Sequence, residues 1–250
     1  MTTSLILHTL LALFLLIIPF GALYVLDRPT MRPFAIALIR GVIQLLVISL
    51  IIWGVYKADN TWISIVWYIA MSIWSGFMVV RKCKLPVKDY LFPTSAGLFG
   101  GALLVGLWLL AAVLPIESIT ARWFIPVMAV LLGHSATMLV RGLSNFVTMF
   151  QRNHAQYDYL LGNGASQWQA LAPFIRTSLL AVISPTIANL SVLALSAIPL
   201  LLCGMLLGGF SPINAFAMML FTLLGSIASS VLSLGITLVL VRKQSNIQQI

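Results

Sequence analysis

The sequence predicts an all-α polytopic membrane protein of about seven transmembrane helices, with the N-terminus outside and the C-terminus in the cytosol. Three observations lead there. The 250 residues are 61% hydrophobic and 8% charged, outside the range of soluble or disordered chains. Apolar windows of about 20 residues, the length that crosses hydrocarbon, recur at 4–26, 34–56, 61–80, 93–114, 122–143, 178–202 and 213–241. The basic residues gather on alternate connections, as on cytosolic loops. Arg28 and Arg32 follow the first window, Arg81, Lys82, Lys84 and Lys88 the third, Arg141, Arg152 and Arg176 the fifth, and Arg242 and Lys243 the seventh. This placement accounts for the net charge of +9 without nucleic acid.

The first window follows Met1-Thr2-Thr3-Ser4, which lacks the basic n-region of a cleaved signal peptide, so it reads as a retained span. The second carries Arg40 and Gln44, four apart and on one helical face. A charge at that depth is costly unless it meets protein, water or a partner, so these two mark an interior polar seam. The third ends in the densest basic cluster. The fourth holds Gly97, Gly101, Ala102 and Gly106, spaced for close helix packing in lipid. The fifth holds His134, Met138 and Arg141 on one face, His134 reading as a hydrogen-bonded interior residue.

Residues 144–177 form the longest non-spanning stretch and are cytosolic. Phe146, Val147 and Phe150 extend the fifth helix, a polar run follows at Gln151-Arg152-Asn153-His154, and Gly162-Asn163-Gly164 breaks the chain. Ser166 can cap a new helix, in which Trp168, Leu171 and Ile175 lie on one face of a short amphipathic segment. That face fits either a protein surface or lipid headgroups. Pro173, Pro185 and Pro199 interrupt the region of the sixth window. Gly204, Gly208, Gly209 and Pro212 then form a loose outer connection that fits a gate or a packed turn. The whole, 1–250, reads as one membrane domain with a loop at about 144–177.

Catalytic chemistry is absent from this reading. No Gly-Lys dipeptide occurs, so there is no phosphate-cradling P-loop. The carboxylates Asp27, Asp59, Asp89, Glu117 and Asp158 all lie in loops or at span ends, which argues against a proton-coupled carrier. His134 and Ser135 are adjacent, hence about 100° apart on a helix, and no G-x-S-x-G elbow exists for a serine protease. Met128, Met138, Met205, Met218 and Met219 could line a path for a thiophilic ion, although Met also fills gaps and faces lipid. Cys83 and Cys203 fall on opposite sides of the membrane and have no metal-site spacing. The chain is expected to be no enzyme and to hold no cofactor of its own, and any metal site is left open.

Several of these residues, taken in order, resemble the FetB family of ABC transporter permeases, related to the plant STAR-type aluminium-tolerance permeases. They are Arg40-x-x-x-Gln44-Leu45, Ile125-Pro126, Gly133-His134, Leu161-Gly162-Asn163-Gly164-Ala165-Ser166, Gln169-Ala170, Arg176, Pro185, Pro199, Gly204, Gly209 and Ser211-Pro212. The resemblance implies a permease subunit that pairs with a second copy of itself in the cell inner (plasma) membrane. Two copies of a separate ATPase would bind ATP and Mg. Gly164, Ala165, Ser166, Trp168, Leu171 and Arg176 would form the cytosolic coupling helix on that ATPase. Arg40, Gln44, His134, Met138, Cys203 and Met205 are candidates for the translocation path or the interior seam. Export of a metal such as iron is the function attached to bacterial relatives. Leu200-Leu201-Leu202-Cys203-Gly204 stands where the family has Gly-Met-Met-Thr/Ser-Gly. Ser211 replaces an Asp, Met218-Met219 a Tyr-Gln pair, and His134 an Asn. A hard cation prefers oxygen ligands, so these changes leave a softer metal, an apolar molecule or a lipid-like cargo open. A membrane scaffold or regulator on the same ATPase is the competing reading, and a secondary carrier the third.

Overall fold

A computed structural model describes residues 14–26, 28–58, 61–113, 121–191 and 198–243. Among them there are nine α-helices and no strand. These are α1 (Ile17–Leu26), α2 (Arg28–Ala58), α3 (Thr61–Lys82), α4 (Val87–Trp108), α5 (Ala121–Arg152), α6 (His154–Gly162), α7 (Gln167–Ser191), α8 (Ile198–Leu207) and α9 (Pro212–Lys243). A wider π turn, Leu109–Val113, ends α4. Among the described residues, six helices are long and apolar enough to cross a membrane: Arg28–Val55, Trp62–Lys82, Val87–Val113, Trp123–Arg152, Gln167–Leu190 and Pro212–Arg242. Residues 4–13 of the window at 4–26 lie outside the described residues, and the described part, 14–26, contains the ten-residue α1.

The chain forms two compact units, Met1–Lys57 and Ala58–Ile250. In the first, Phe20 meets Phe34 edge to face at 5.3 Å. Arg28 lies over the Tyr24 ring at 4.2 Å. Arg40 and Gln44 are both exposed on α2.

The second unit is built around α9, whose longest interface is with α4 and next longest with α5. The sequence explains how close α4 and α9 come. A Cβ on Gly97 would overlap the Thr237 hydroxyl and come 2.8 Å from the Ser233 carbonyl oxygen. A Cβ on Gly101 would overlap the Ser233 hydroxyl and come 2.6 Å from the Ser233 backbone nitrogen. The spacing of small residues in the fourth window is thus used for backbone approach. The facing stripe on α9 is made of hydroxyls. Thr222, Ser226, Ser229, Ser230, Ser233 and Thr237 are all buried. Four of them return their proton to their own helix: Thr222 to the Met218 carbonyl at 2.9 Å, Ser226 to Leu223 at 2.8 Å, Ser230 to Ile227 at 2.8 Å and Thr237 to Ser233 at 2.7 Å. Such back-bonding hides the polar group without needing room for a partner. Ser229 instead bonds the Ser135 hydroxyl of α5 at 2.6 Å. α3 is tied to α4 where the Tyr68 hydroxyl donates to the Phe99 carbonyl at 2.7 Å.

The helix boundaries follow one repeated device. After α3, α6 and α8 the chain turns through a left-handed residue: Lys84 (φ 56°), Gly164 (φ 83°) and Gly209 (φ 89°). At each, the amide of that residue bonds the carbonyl three back. The next amide bonds the carbonyl five back, at 3.0–3.1 Å. This is the Schellman arrangement, in which glycine sits freely. Lys84 is the exception, and a side chain there costs about 1 kcal/mol. Two residues later the next helix starts, at Pro86, Ser166 and Ser211.

The structure departs from the sequence expectation in residues 144–191. The polar run is followed by a helix, α6. The amphipathic stretch with Trp168 is no separate short helix. It is the beginning of α7, which runs unbroken through Pro173 and Pro185. Pro173 brings no amide to the Gln169 carbonyl one turn earlier, and the helix continues past it, with the Thr177 hydroxyl donating to the Pro173 carbonyl at 2.8 Å.

Candidate functional site

The start of α7 is the most elaborately supported surface feature of the second unit. Beneath it lies an aromatic platform. Phe150 of α5 is fully buried and meets Phe146, His154, Tyr157 and Phe174 at 5.1–6.2 Å between ring centres. His154, the last residue of the polar run, is half-buried against these rings and bonds the Asp158 carboxylate at 2.9 Å through Nδ1. Three elements are thereby locked together: the end of α5, α6, and the first turns of α7.

The turn itself is closed from both sides. Asn163 ends α6 by donating its side-chain amide to the Tyr159 carbonyl at 2.9 Å. Gly164 supplies the left-handed step and Ala165 is half-buried. Ser166 then forms a capping box with Gln169. The Ser166 amide donates to Gln169 Oε1 at 2.8 Å, and the Gln169 amide donates to Ser166 Oγ at 3.4 Å. The first turn is satisfied by its own side chains, and its outer face is free for contact.

That outer face carries Trp168, 44% exposed, while Leu171 on the inner side is 2% exposed. The expectation that Trp168 and Leu171 share one face is therefore refined: Leu171 belongs to the platform and Trp168 to the surface. Arg242, at the end of α9, lies over the Trp168 ring at 4.4 Å, a cation–π contact worth roughly 0.5–1 kcal/mol when exposed. The last span is thus tied to the first turn of α7. Trp168, Ala172, Ile175, Arg176, Leu179 and Leu180 line an open apolar groove of about 360 Å³ along α7, with Arg176 exposed at its edge.

The other sequence candidates lie elsewhere. Met138 is buried in α5, and His134, one turn earlier, is half-buried with Nε2 enclosed and no hydrogen-bond partner. Cys203 is exposed and Met205 half-buried on α8. Arg40 and Gln44 belong to the other compact unit. Among the described residues, no three His, Cys, Asp or Glu side chains converge on a common metal position. Cys83 and Cys203 are both free thiols. Burial raises the Cys83 thiol pKa, with hydrogen bonds to Ser144 pulling it the other way. Sequence reasoning missed the hydroxyl stripe of α9. Its signal was present in the i, i+4, i+7 recurrence of Thr222, Ser226, Ser229, Ser233 and Thr237.

Comparison with known proteins fits this architecture. The chain is 25% identical over 178 residues to the UPF0014 membrane protein slr1647 of Synechocystis, covering 70% of this chain and 68% of that one. It is 26% identical over 202 residues to the UPF0014 membrane protein STAR2 of rice, covering 79% and 70%. It is 20% identical over 176 residues to the probable iron export permease protein FetB of Escherichia coli, covering 70% and 67%. No solved structure matches. A family model, described as an uncharacterised protein family (UPF0014), matches residues 6–245, and a multi-pass helical membrane chain matched over nearly its whole length belongs to the UPF0014 family.

Proposed function

We propose that this chain is the membrane-spanning permease subunit of an ATP-binding cassette transporter. The observation that carries the reading is the start of α7. There a left-handed glycine and a capping box fix a helix end, an aromatic platform stiffens it from below, and a half-exposed Trp168 is presented outward. A rigid, capped element tied to two spans can pass a push from a docked partner into the membrane body. Arg242 links that push to α9, and Phe174 links it to α5. The partner is a separate ATPase that binds ATP and Mg, and two copies of this chain would complete the assembly. ATP-driven closure of the ATPase pair would shift the spans between two arrangements.

In this reading the face bearing Trp168 is cytosolic, the N-terminus lies outside, and the protein sits in the cell inner membrane. The cargo is a metal ion, like that in the name of the bacterial relative called a probable iron export permease, or another small cargo. Among the described residues the buried polar groups of the second unit are hydroxyls, with His134 Nε2 enclosed and no carboxylate among them, which suits a softer or less charged cargo better than a hard cation. A regulatory subunit docking the same ATPase is the second reading, favoured by the exposure of Cys203 and the absence of an Asp at Ser211. Isolation from native membranes, followed by ATP hydrolysis and cargo flux in vesicles, tests both. A P-loop subunit should accompany the protein, and Trp168→Ala should uncouple hydrolysis from flux while leaving the protein inserted. Normal coupled flux in that variant would remove the docking assignment. Hydrolysis without any flux would favour the regulatory reading.

A further inference from the structure

The turn between α3 and α4 has the same backbone as the turn that starts α7, and it carries the opposite surface. Both have a left-handed residue and the same two closing hydrogen bonds, followed two residues later by the start of a helix. Proline stands nine residues after the left-handed residue in each, at Pro93 and Pro173. The burial register also repeats: Tyr90, Thr94, Leu98 and Ala102 are buried on α4, and Ala170, Phe174, Ser178 and Val182 at the matching positions of α7. Yet Gly162-Asn163-Gly164-Ala165-Ser166 is uncharged, whereas residues 81–88 hold Arg81, Lys82, Lys84 and Lys88.

We propose that the turn at residues 81–88 is a binding surface for anionic phospholipid headgroups. All four basic side chains are exposed. The turn is held rigidly, because Cys83 points inward onto α5, its thiol 3.6 Å from the Val140 carbonyl and receiving the Ser144 hydroxyl at 3.5 Å. With Cys83 anchored, Lys82 and Lys84 on either side are directed outward. Arg81 is steadied over the Phe77 ring at 4.6 Å.

Depth selects lipid over a protein partner. The flanking candidate spans run to Lys82 and restart at Val87, so four residues connect them. The span Trp62–Lys82 has 21 residues, about 31 Å of helix, which matches the hydrocarbon thickness of roughly 30 Å. The Gly164 turn stands farther out. Cys83 sits level with Val140 and Ser144 on α5, while Phe174 sits level with Phe150, roughly 12 Å farther along that helix. One backbone device thus serves twice: as a neutral foot reaching past the headgroups, and as a basic foot lying among them. A non-glycine residue in the left-handed position of the second foot keeps a cation at the apex.

The test uses the full-length protein purified in detergent and titrated with phosphatidylglycerol or phosphatidylcholine, with bound lipid counted by native mass spectrometry. The wild type should prefer phosphatidylglycerol. Lys84→Gly, which suits the left-handed backbone and removes one charge, should keep its melting temperature and lose phosphatidylglycerol affinity about five-fold. Lys82→Gln/Lys84→Gln/Lys88→Gln should lose it by roughly a hundred-fold, with phosphatidylcholine binding unchanged. The proposal is overturned if Lys84→Gly leaves phosphatidylglycerol binding intact, or if both lipids fall together. Loss of a copurifying protein from the triple variant with lipid retention intact would equally overturn it, making the turn a protein-docking surface.

Discussion

Helices α2 and α9 are almost the same length, 31 and 32 residues, and both are apolar enough to span a bilayer. They carry their polarity in opposite ways. α2 has a charge and an amide, Arg40 and Gln44, both exposed. α9 has six small hydroxyls, all buried, five of them fully hydrogen-bonded and the sixth, Ser233, pressed against Gly101. The conspicuous polar residues therefore do not build the interior of the second unit. The inconspicuous ones do, because a Ser or Thr can satisfy itself on its own helix and still let a neighbouring backbone approach. Arg has no such route and must find a partner outside its helix.

The sharpest way to break this comparison is with glycines. Gly101→Val pushes a Cβ bearing two methyl groups into the backbone of Ser233 and should cost about 3 kcal/mol or more, seen as a large drop in the melting temperature of the detergent-solubilised protein. Gly41→Val on α2, where a Cβ meets nothing within 4 Å, should leave the melt nearly unchanged. Equal losses in the two variants would dissolve the contrast. Next in size is the pair Arg40→Leu and Gln44→Leu. Were a second copy to cover that stripe, as the proposed assembly would allow, these changes would weaken self-association by about ten-fold, an energy near 1.4 kcal/mol, without lowering the melt; unchanged self-association would assign the stripe to another partner. Smaller still is Ser229→Ala, which removes the hydroxyl contact to Ser135 and should cost about 0.6 kcal/mol, typical of hydrogen bonds between membrane helices. A double-mutant cycle with Ser135→Ala isolates it. The smallest effect is kinetic. Near neutral pH, Cys203, which is exposed, should be alkylated well before Cys83, which is half-buried with a raised thiol pKa. Cys83 should catch up as the pH rises toward its folded-state pKa and thiolate accumulates.

These experiments also measure how far the sequence could be read. The apolar windows and small-residue spacing led directly to the spans and to the Gly97–Gly101 contact, since both are local patterns with one physical solution in lipid. Gly164 and Ser166 announced their turn for the same reason: left-handed backbone and helix capping are choices made within a few residues. Other features were decided across helices and left little trace. Pro173 looked like an interruption, but its side of α7 packs on the platform through Phe174 and the helix runs on through it. His154 closes a polar run in the sequence, yet its ring lies against Phe150 and Tyr157. Leu171 and Trp168 were assigned to one face, and the aromatic platform separates them. Arg40 and Gln44 were read as interior because charge in an apolar run demands cover, but the sequence does not name what supplies it.

The central claim is that the start of α7 takes its instructions from a nucleotide-hydrolysing partner, and position 168 is where that contact can be caught. A photo-crosslinking amino acid placed at 168 in native membranes, with the adduct identified by mass spectrometry, asks the question directly. The account predicts a separate P-loop ATPase in the adduct, with its yield changing when ATP is supplied. Adducts confined to lipid or to a second copy of this chain, with and without ATP, would contradict it.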